Sequence, residues 1–172
     1  MDISRPLFYM IVIFLTSYLI VYMFTSQFDH NVQSYISDAV NEFVDDCCTS
    51  GYIAPQKYMK MMTKIGSTGN LYNVDLYYQS RVAMPLVNDS GDVVEGAFVE
   101  SYQLFNKEEV LGEMFPNSTQ YQNFPMKNGD FVKVNVSLRE PTYAGRLMSL
   151  GKTIAYSYGA YVGNSEDNGL LK

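Results

Sequence analysis

The chain has no tryptophan, a single histidine, and two cysteines that stand side by side. Each scarcity excludes a chemistry. One histidine, His30, supports neither a histidine-based metal cluster nor an ordinary Ser-His-Asp triad. It falls where the apolar start of the chain ends, and reads as a solvated interfacial residue. Cys47 and Cys48 make no disulfide framework and no CxxC site. On a helix, neighbouring side chains diverge by ~100°, so a bridge between them would need a distorted peptide. They read as buried or half-buried thiols, with an intermolecular bridge as the alternative.

Cationic runs are also missing. Twelve Lys and Arg stand against 18 Asp and Glu, for a formal net charge of −6. Nucleic acid is therefore not an expected partner. Neither G-x-x-x-x-G-K-[ST] nor G-x-G-x-x-G occurs, which removes the two glycine-rich phosphate cradles. No catalytic residues, cofactor or metal are expected, and the chain reads as a non-enzyme. Asn88-Asp89-Ser90-Gly91-Asp92 has calcium-type side chains, but not the spacing of an EF-hand, and reads as a turn. Asn88, Asn117 and Asn135 begin N-x-S/T sequons, which matter only in a glycosylating pathway.

The most consequential absence is local. No charged residue lies between Arg5 and Asp29. Its centre is Pro6–Phe24, PLFYMIVIFLTSYLIVYMF, 19 residues that as a helix cover ~28 Å, close to the hydrocarbon thickness of a bilayer. Leu7, Ile11, Ile13, Phe14, Leu15, Leu19, Ile20 and Val21 are the expected lipid-facing anchor. Thr16 and Ser17 can bond back to helix carbonyls, and Tyr9 and Tyr22 suit the two interfaces. The run is too long for a signal-peptide core, and the following TSQFDHNV has no small-x-small site. An uncleaved single-pass anchor in the cell membrane is expected. Arg5 precedes the span and the first cation after it is Lys57, so the N-terminus is expected in the cytoplasm and the domain outside.

From Asp29 the pattern becomes amphipathic. Val32, Ile36, Val40, Phe43 and Cys47, with Tyr35, Ala39 and Val44, recur at three- and four-residue steps, a helical stripe. Nothing from Leu7 to Cys48 should break a helix, although a break between Ser26 and His30 remains open. Thr49-Ser50-Gly51 supplies a stop, with Gly51 able to take the left-handed cap. Asp45 and Asp46 sit at the unfavourable end of the helix dipole, and Lys57 or Lys60 could meet them. A short helix starts at Pro55, carries Tyr58, Met61, Met62 and Ile65 on one face, and has Gly66 as its natural C-cap.

The period then falls to two. Strands are expected from Val74 to Val87 with a disturbance at Pro85, from Val93 to Leu104, from Val132 to Leu138, and from Thr153 to Val162. Asn106 and Glu109 form a capping-box start for a short helix ending near Met114. Pro116–Pro125 reads as loop, Lys127-Asn128-Gly129-Asp130 as a turn, and Pro141–Leu150 as a helix with Leu147 and Leu150 inward. The expected fold class is α+β, with a long transmembrane-then-amphipathic helix packed on a small, mainly antiparallel sheet. Its divisions are 1–28 anchor, 29–66 amphipathic and short helices, 67–163 β-rich head, and 164–172 loose tail. The 15 tyrosines suit strands and wet contact surfaces.

An apolar half-helix, an amphipathic half-helix and then a compact sheet resemble the organisation of a pilin or pseudopilin. SGYIAPQKYMKMMTKIGSTGNLYNVDL, MKNGDFVKVNVSL and TIAYSYGAYVGN resemble the membrane-anchored, pilin-like proteins of the tight-adherence (Tad/Flp-type) pilus systems of Gram-positive bacteria. The resemblance implies a non-catalytic assembly component, with the bilayer and other protein subunits, including copies of itself, as partners. A glycine just before the apolar run and a glutamate five residues into it, the marks of prepilin processing, are absent here. An anchored extracytoplasmic ligand-binding or sensory domain is the alternative.

Overall fold

The computed structural model describes residues 4–87, 93–116, 120–142, 146 and 154–163. Helix α1 runs unbroken over Ser4–Ser50, 47 residues, or ~70 Å. Past Pro6, in its first turn, it contains no proline, and it contains no glycine; no break occurs between residues 26 and 30. It stops where Gly51, at φ 72°, donates its N–H to Cys47 O at 2.9 Å.

A two-residue strand follows. β1 (Tyr52–Ile53) pairs antiparallel with β4 (Phe124–Pro125). The sequence marks neither as a strand, and reads the segment that holds β4 as loop; two residues carry no periodicity, and the pairing exists because Ile53 and Phe124 are both buried in the core. Helix α2 (Pro55–Gly66) buries Pro55, Tyr58, Met61 and Ile65, while Met62 is half-buried. Its exit differs from expectation. Gly66 is the last helical residue, Ser67 caps in the right-handed region, and the left-handed residue is Gly69, at φ 77°.

The main sheet has the order β3-β2-β5-β6, formed by β2 (Tyr72–Val87), β3 (Val93–Phe105), β5 (Phe131–Leu138) and β6 (Ala155–Tyr161). Every neighbouring pair is antiparallel. β5 lies between β2 and β6, and its alternation is complete: Val132, Val134, Val136 and Leu138 are buried, and the residues between them half-buried. The β2–β3 register shifts between Pro85 and Val87. Helix α3 (Lys107–Met114) starts on the capping box of Asn106 and Glu109. The turn at 88–92, the expected helix at 141–150 apart from residues 141, 142 and 146, and the tail 164–172 lie outside the described residues.

Contacts between α1 and β6 fix the direction of the head. Asn41, Asp45 and Cys48 meet Tyr156, Tyr158 and Ala160 in that order. β6 therefore runs alongside α1, away from the charge-free end. β2 runs the same way, since both pair antiparallel with β5. β2 pairs with β5 only up to Gln79. Beyond it, β2 pairs with β3 alone, so the two strands leave the head as a ribbon pointing away from the charge-free end of α1.

Candidate functional site

Two surfaces of α1 do different work. Leu7, Ile11, Ile13, Phe14, Leu15, Leu19, Ile20 and Val21 are all exposed, on a stretch of helix that no other described element covers. Such a continuous apolar cylinder is one helix long and apolar enough to cross a membrane. Thr16 donates to Val12 O at 2.9 Å and Ser17 to Ile13 O at 2.8 Å, so both hydroxyls are satisfied without water. His30 is exposed.

The second half of α1 is a core element. Val32, Ile36, Val40, Phe43 and Cys47 are buried in one cluster with Ile53, Met61, Val134 and Val136. The stripe is used up inside the molecule, docking the helix on its own sheet. Polar contacts flank it. On one side Tyr156 and Tyr158 donate from β6 to Asn41 Oδ1 at 2.7 Å and Asp45 Oδ1 at 3.0 Å. On the other, α2 lies antiparallel to α1. Lys60 donates to Glu42 Oε1 at 2.7 Å, and Lys64 pairs with the other oxygen. Those two hydrogen bonds hold the Glu42 carboxyl down at about 2; the pair is solvent-exposed, so it adds little stability. Lys57 donates to Asp46 O at 3.1 Å, while Asp45 turns to Tyr158 instead. A cleft of about 250 Å³ opens along this lysine-lined seam.

Both cysteines are free and buried. Burial pushes the Cys47 thiol up to about 12 and the Cys48 thiol to about 11, which makes them poor nucleophiles. An intermolecular bridge through either would first require α1 to leave the sheet.

The most organised polar centre lies elsewhere, at Asp130, which is 0% exposed. Its Oδ2 accepts from Lys127 N at 2.7 Å and from the Tyr78 hydroxyl. Its Oδ1 accepts from Arg81 N at 2.9 Å and Ser80 Oγ at 3.3 Å. Burial alone would raise the carboxyl, but these donors outweigh it and hold Asp130 below the ordinary carboxylate range. Burial, with the bond to Asp130, pushes Tyr78 up to about 12. Arg81 N points to the side of β2 where β5 has just ended. The carboxylate thus takes over the missing partner strand and secures the root of the ribbon. All its donors come from within the chain, which makes this a structural clasp. Sequence reasoning saw Asp130 only as the end of a turn; its pairing across 50 residues with Ser80 leaves no local signal.

Among the described residues, no group of three or more His, Cys, Asp or Glu is placed to hold a metal ion. Ser149-Leu150-Gly151-Lys152 spells an S-x-x-K, and it lies outside the described residues. The calcium-like turn and the sequons at Asn88 and Asn117 lie there too. Asn135 is on β5, where its Oδ1 accepts from Ser157 Oγ at 2.6 Å. Comparison with known proteins finds no matching family model, no matching curated protein and no matching solved structure.

Proposed function

We propose that this chain is a membrane-anchored, non-catalytic structural component of an extracytoplasmic pilus-like or secretion apparatus at the cell surface. The observation that carries the reading is the division of labour along α1. One unbroken helix leaves its first half bare for lipid and buries its second half in the head. A hinged tether would let a domain tumble. A continuous helix docked on a sheet holds the head at a fixed height and heading relative to the bilayer, which an ordered assembly needs. The reading places the N-terminus in the cytoplasm and the head outside, and takes other protein subunits as partners. The exposed side chains of the β2–β3 ribbon, among them Met84, Phe98 and Tyr102, are candidate contacts, because large apolar patches often mark protein interfaces.

The test is fractionation of cells expressing the full chain with Ile13 and Leu19 both changed to Asp. Each charge at mid-span costs about 3 kcal/mol of insertion free energy, and the variant is expected to leave the membrane fraction. Retention of the variant there would sink the anchor. Site-specific cross-linking from Phe98 in cells then tests assembly; a chain that stays strictly monomeric would sink that part.

A further inference from the structure

Among the described residues, β6 is an open edge of the main sheet. Leu138 donates its N–H to Ile154 O at 2.9 Å, and Val162 donates to Asp130 O at 2.8 Å. The register between them pairs Val136 with Tyr156, Val134 with Tyr158 and Val132 with Ala160. In an antiparallel ladder, hydrogen-bonded and non-bonded pairs alternate, so the even-numbered residues of β6 are those bonded to β5. The N–H and C=O groups of Ala155, Ser157, Gly159 and Tyr161 therefore point outward, and no described strand takes them. Native edges are commonly guarded by charge, proline or a bulge. β6 reads AYSYGAY, with no charge and no proline, and its register is unshifted. The opposite edge is β3, which carries two glutamates and a left-handed Gly96 at φ 78°, and where β3 stops short of the start of β2, Lys107 Nζ donates to Val74 O at 2.6 Å.

The flank of α1 beside this edge is acidic. Asp45 accepts from Tyr158, and Asp38 stands two turns earlier on the same side of the helix. Both are exposed, and neither has a cation partner among the described residues. The lysines of α2 lie on the other flank, engaged with Glu42 and Asp46. A strand added to β6 would thus lay alternate side chains on the Tyr156 and Tyr158 rings, with the two carboxylates beyond. Aromatic faces and carboxylates together favour cations.

A second copy is a poor occupant. Two copies in one membrane both direct β6 away from it. Edge to edge they would lie parallel at equal height, with Ser157 facing Ser157 and donors opposing donors. Each also carries a net charge of −6. We propose that β6 is a strand-addition site for an extended segment of another protein with Lys or Arg at alternate positions.

The proposal deepens the assembly reading by naming a partner's chemistry, yet it is read on purified protein and can fail while anchoring holds. The full chain in nanodiscs is titrated with a short capped peptide alternating Lys and Thr, with a Glu–Thr peptide as control. The Lys–Thr peptide is expected to bind saturably and at least about tenfold tighter than the control. N-methylation of its Thr residues or of its Lys residues should abolish binding for one set only, since only alternate amides face β6. Ser157→Pro removes an outward donor and spares the β5 ladder; it should abolish binding. Asp38→Asn with Asp45→Asn should weaken binding roughly tenfold. No binding, equal binding of the Glu–Thr peptide, or equal effects of the two N-methylation patterns would overturn the proposal. The N-methylated peptides decide the matter even if Ser157→Pro fails to fold.

Discussion

The hydroxyl of Tyr156 on β6 donates to Asn41 Oδ1 on α1 at 2.7 Å, across 115 residues of chain. With the Tyr158–Asp45 bond two residues further along, it aligns β6 with α1. Burial of Ile36, Val40 and Val44 beneath these bonds, each at 0% exposure, supplies most of the attachment. Hydrogen bonds of this kind each contribute only about 1 kcal/mol net.

The two halves of α1 should respond in opposite ways to the same substitution. Ile36→Ala opens a cavity in the core and is expected to cost about 2–5 kcal/mol. Ile13 is exposed on the uncovered half of α1, and Ile13→Ala should leave the melting of the head unchanged. Thermal denaturation of both variants in nanodiscs checks this. An equal loss in both would mean that residue 13 is packed inside the protein.

Asp130 should give the head a pH dependence of known sign. Its folded carboxyl lies below the ordinary value of 3.8, so ionised Asp130 stabilises the fold fully above that value. The contribution is lost as pH falls through the folded value. Asp130→Asn places an amide among donors and is expected to cost roughly 2–3 kcal/mol near neutral pH. The variant should also lose less stability than the parent between about pH 5 and about pH 3. Parallel denaturation curves for the two proteins across that range would refute the assignment.

Gly159 should tolerate no side chain. A Cβ there would lie 2.6 Å from Cζ of Phe131 and 2.8 Å from Val132 O. The ring can swing aside but the carbonyl cannot move without breaking the β5–β6 ladder. Gly159→Ala is expected to cost about 1–3 kcal/mol, measured by chemical denaturation. An unchanged midpoint would show that β6 is not held against β5 as described.

The thiols should be silent in the folded protein. With Cys47 at about 12 and Cys48 at about 11, the reactive thiolate is scarce at neutral pH, and both sulfurs are buried. A maleimide should label neither in the native state and both after denaturation. Rapid labelling of the folded chain would mean that α1 separates readily from β6. Assembly is for this reason better probed by cross-links placed on the exposed ribbon.

Much of the fold was legible because periodicity is local. The alternation from Val132 to Leu138 and the three- and four-residue stripe from Val32 to Cys47 each name a secondary structure and a buried face. Gly51 as a stop and the Asn106–Glu109 capping box are equally local, and both stand where they were read. β1 and β4 escaped because a ladder of two residues has no period. Gly66 was misplaced as a cap because a glycine near a helix end marks an exit without saying which residue turns left-handed.

The sequence by itself determined that residues 6–28 are free of charge and fit to cross a bilayer, that an amphipathic helix follows, and that strands with short helices make up most of the rest; that the long helix runs unbroken through residues 26–30 came from the structure. These follow from composition and spacing along one segment. Only the tertiary structure decided where the stripe is spent, which strand is left at the open edge, and that Asp130 replaces a missing strand at Arg81. The clasp joins residues 49 apart and the docking of β6 on α1 residues up to 115 apart, and contacts at that range are set by the packing of the whole core rather than by any local pattern.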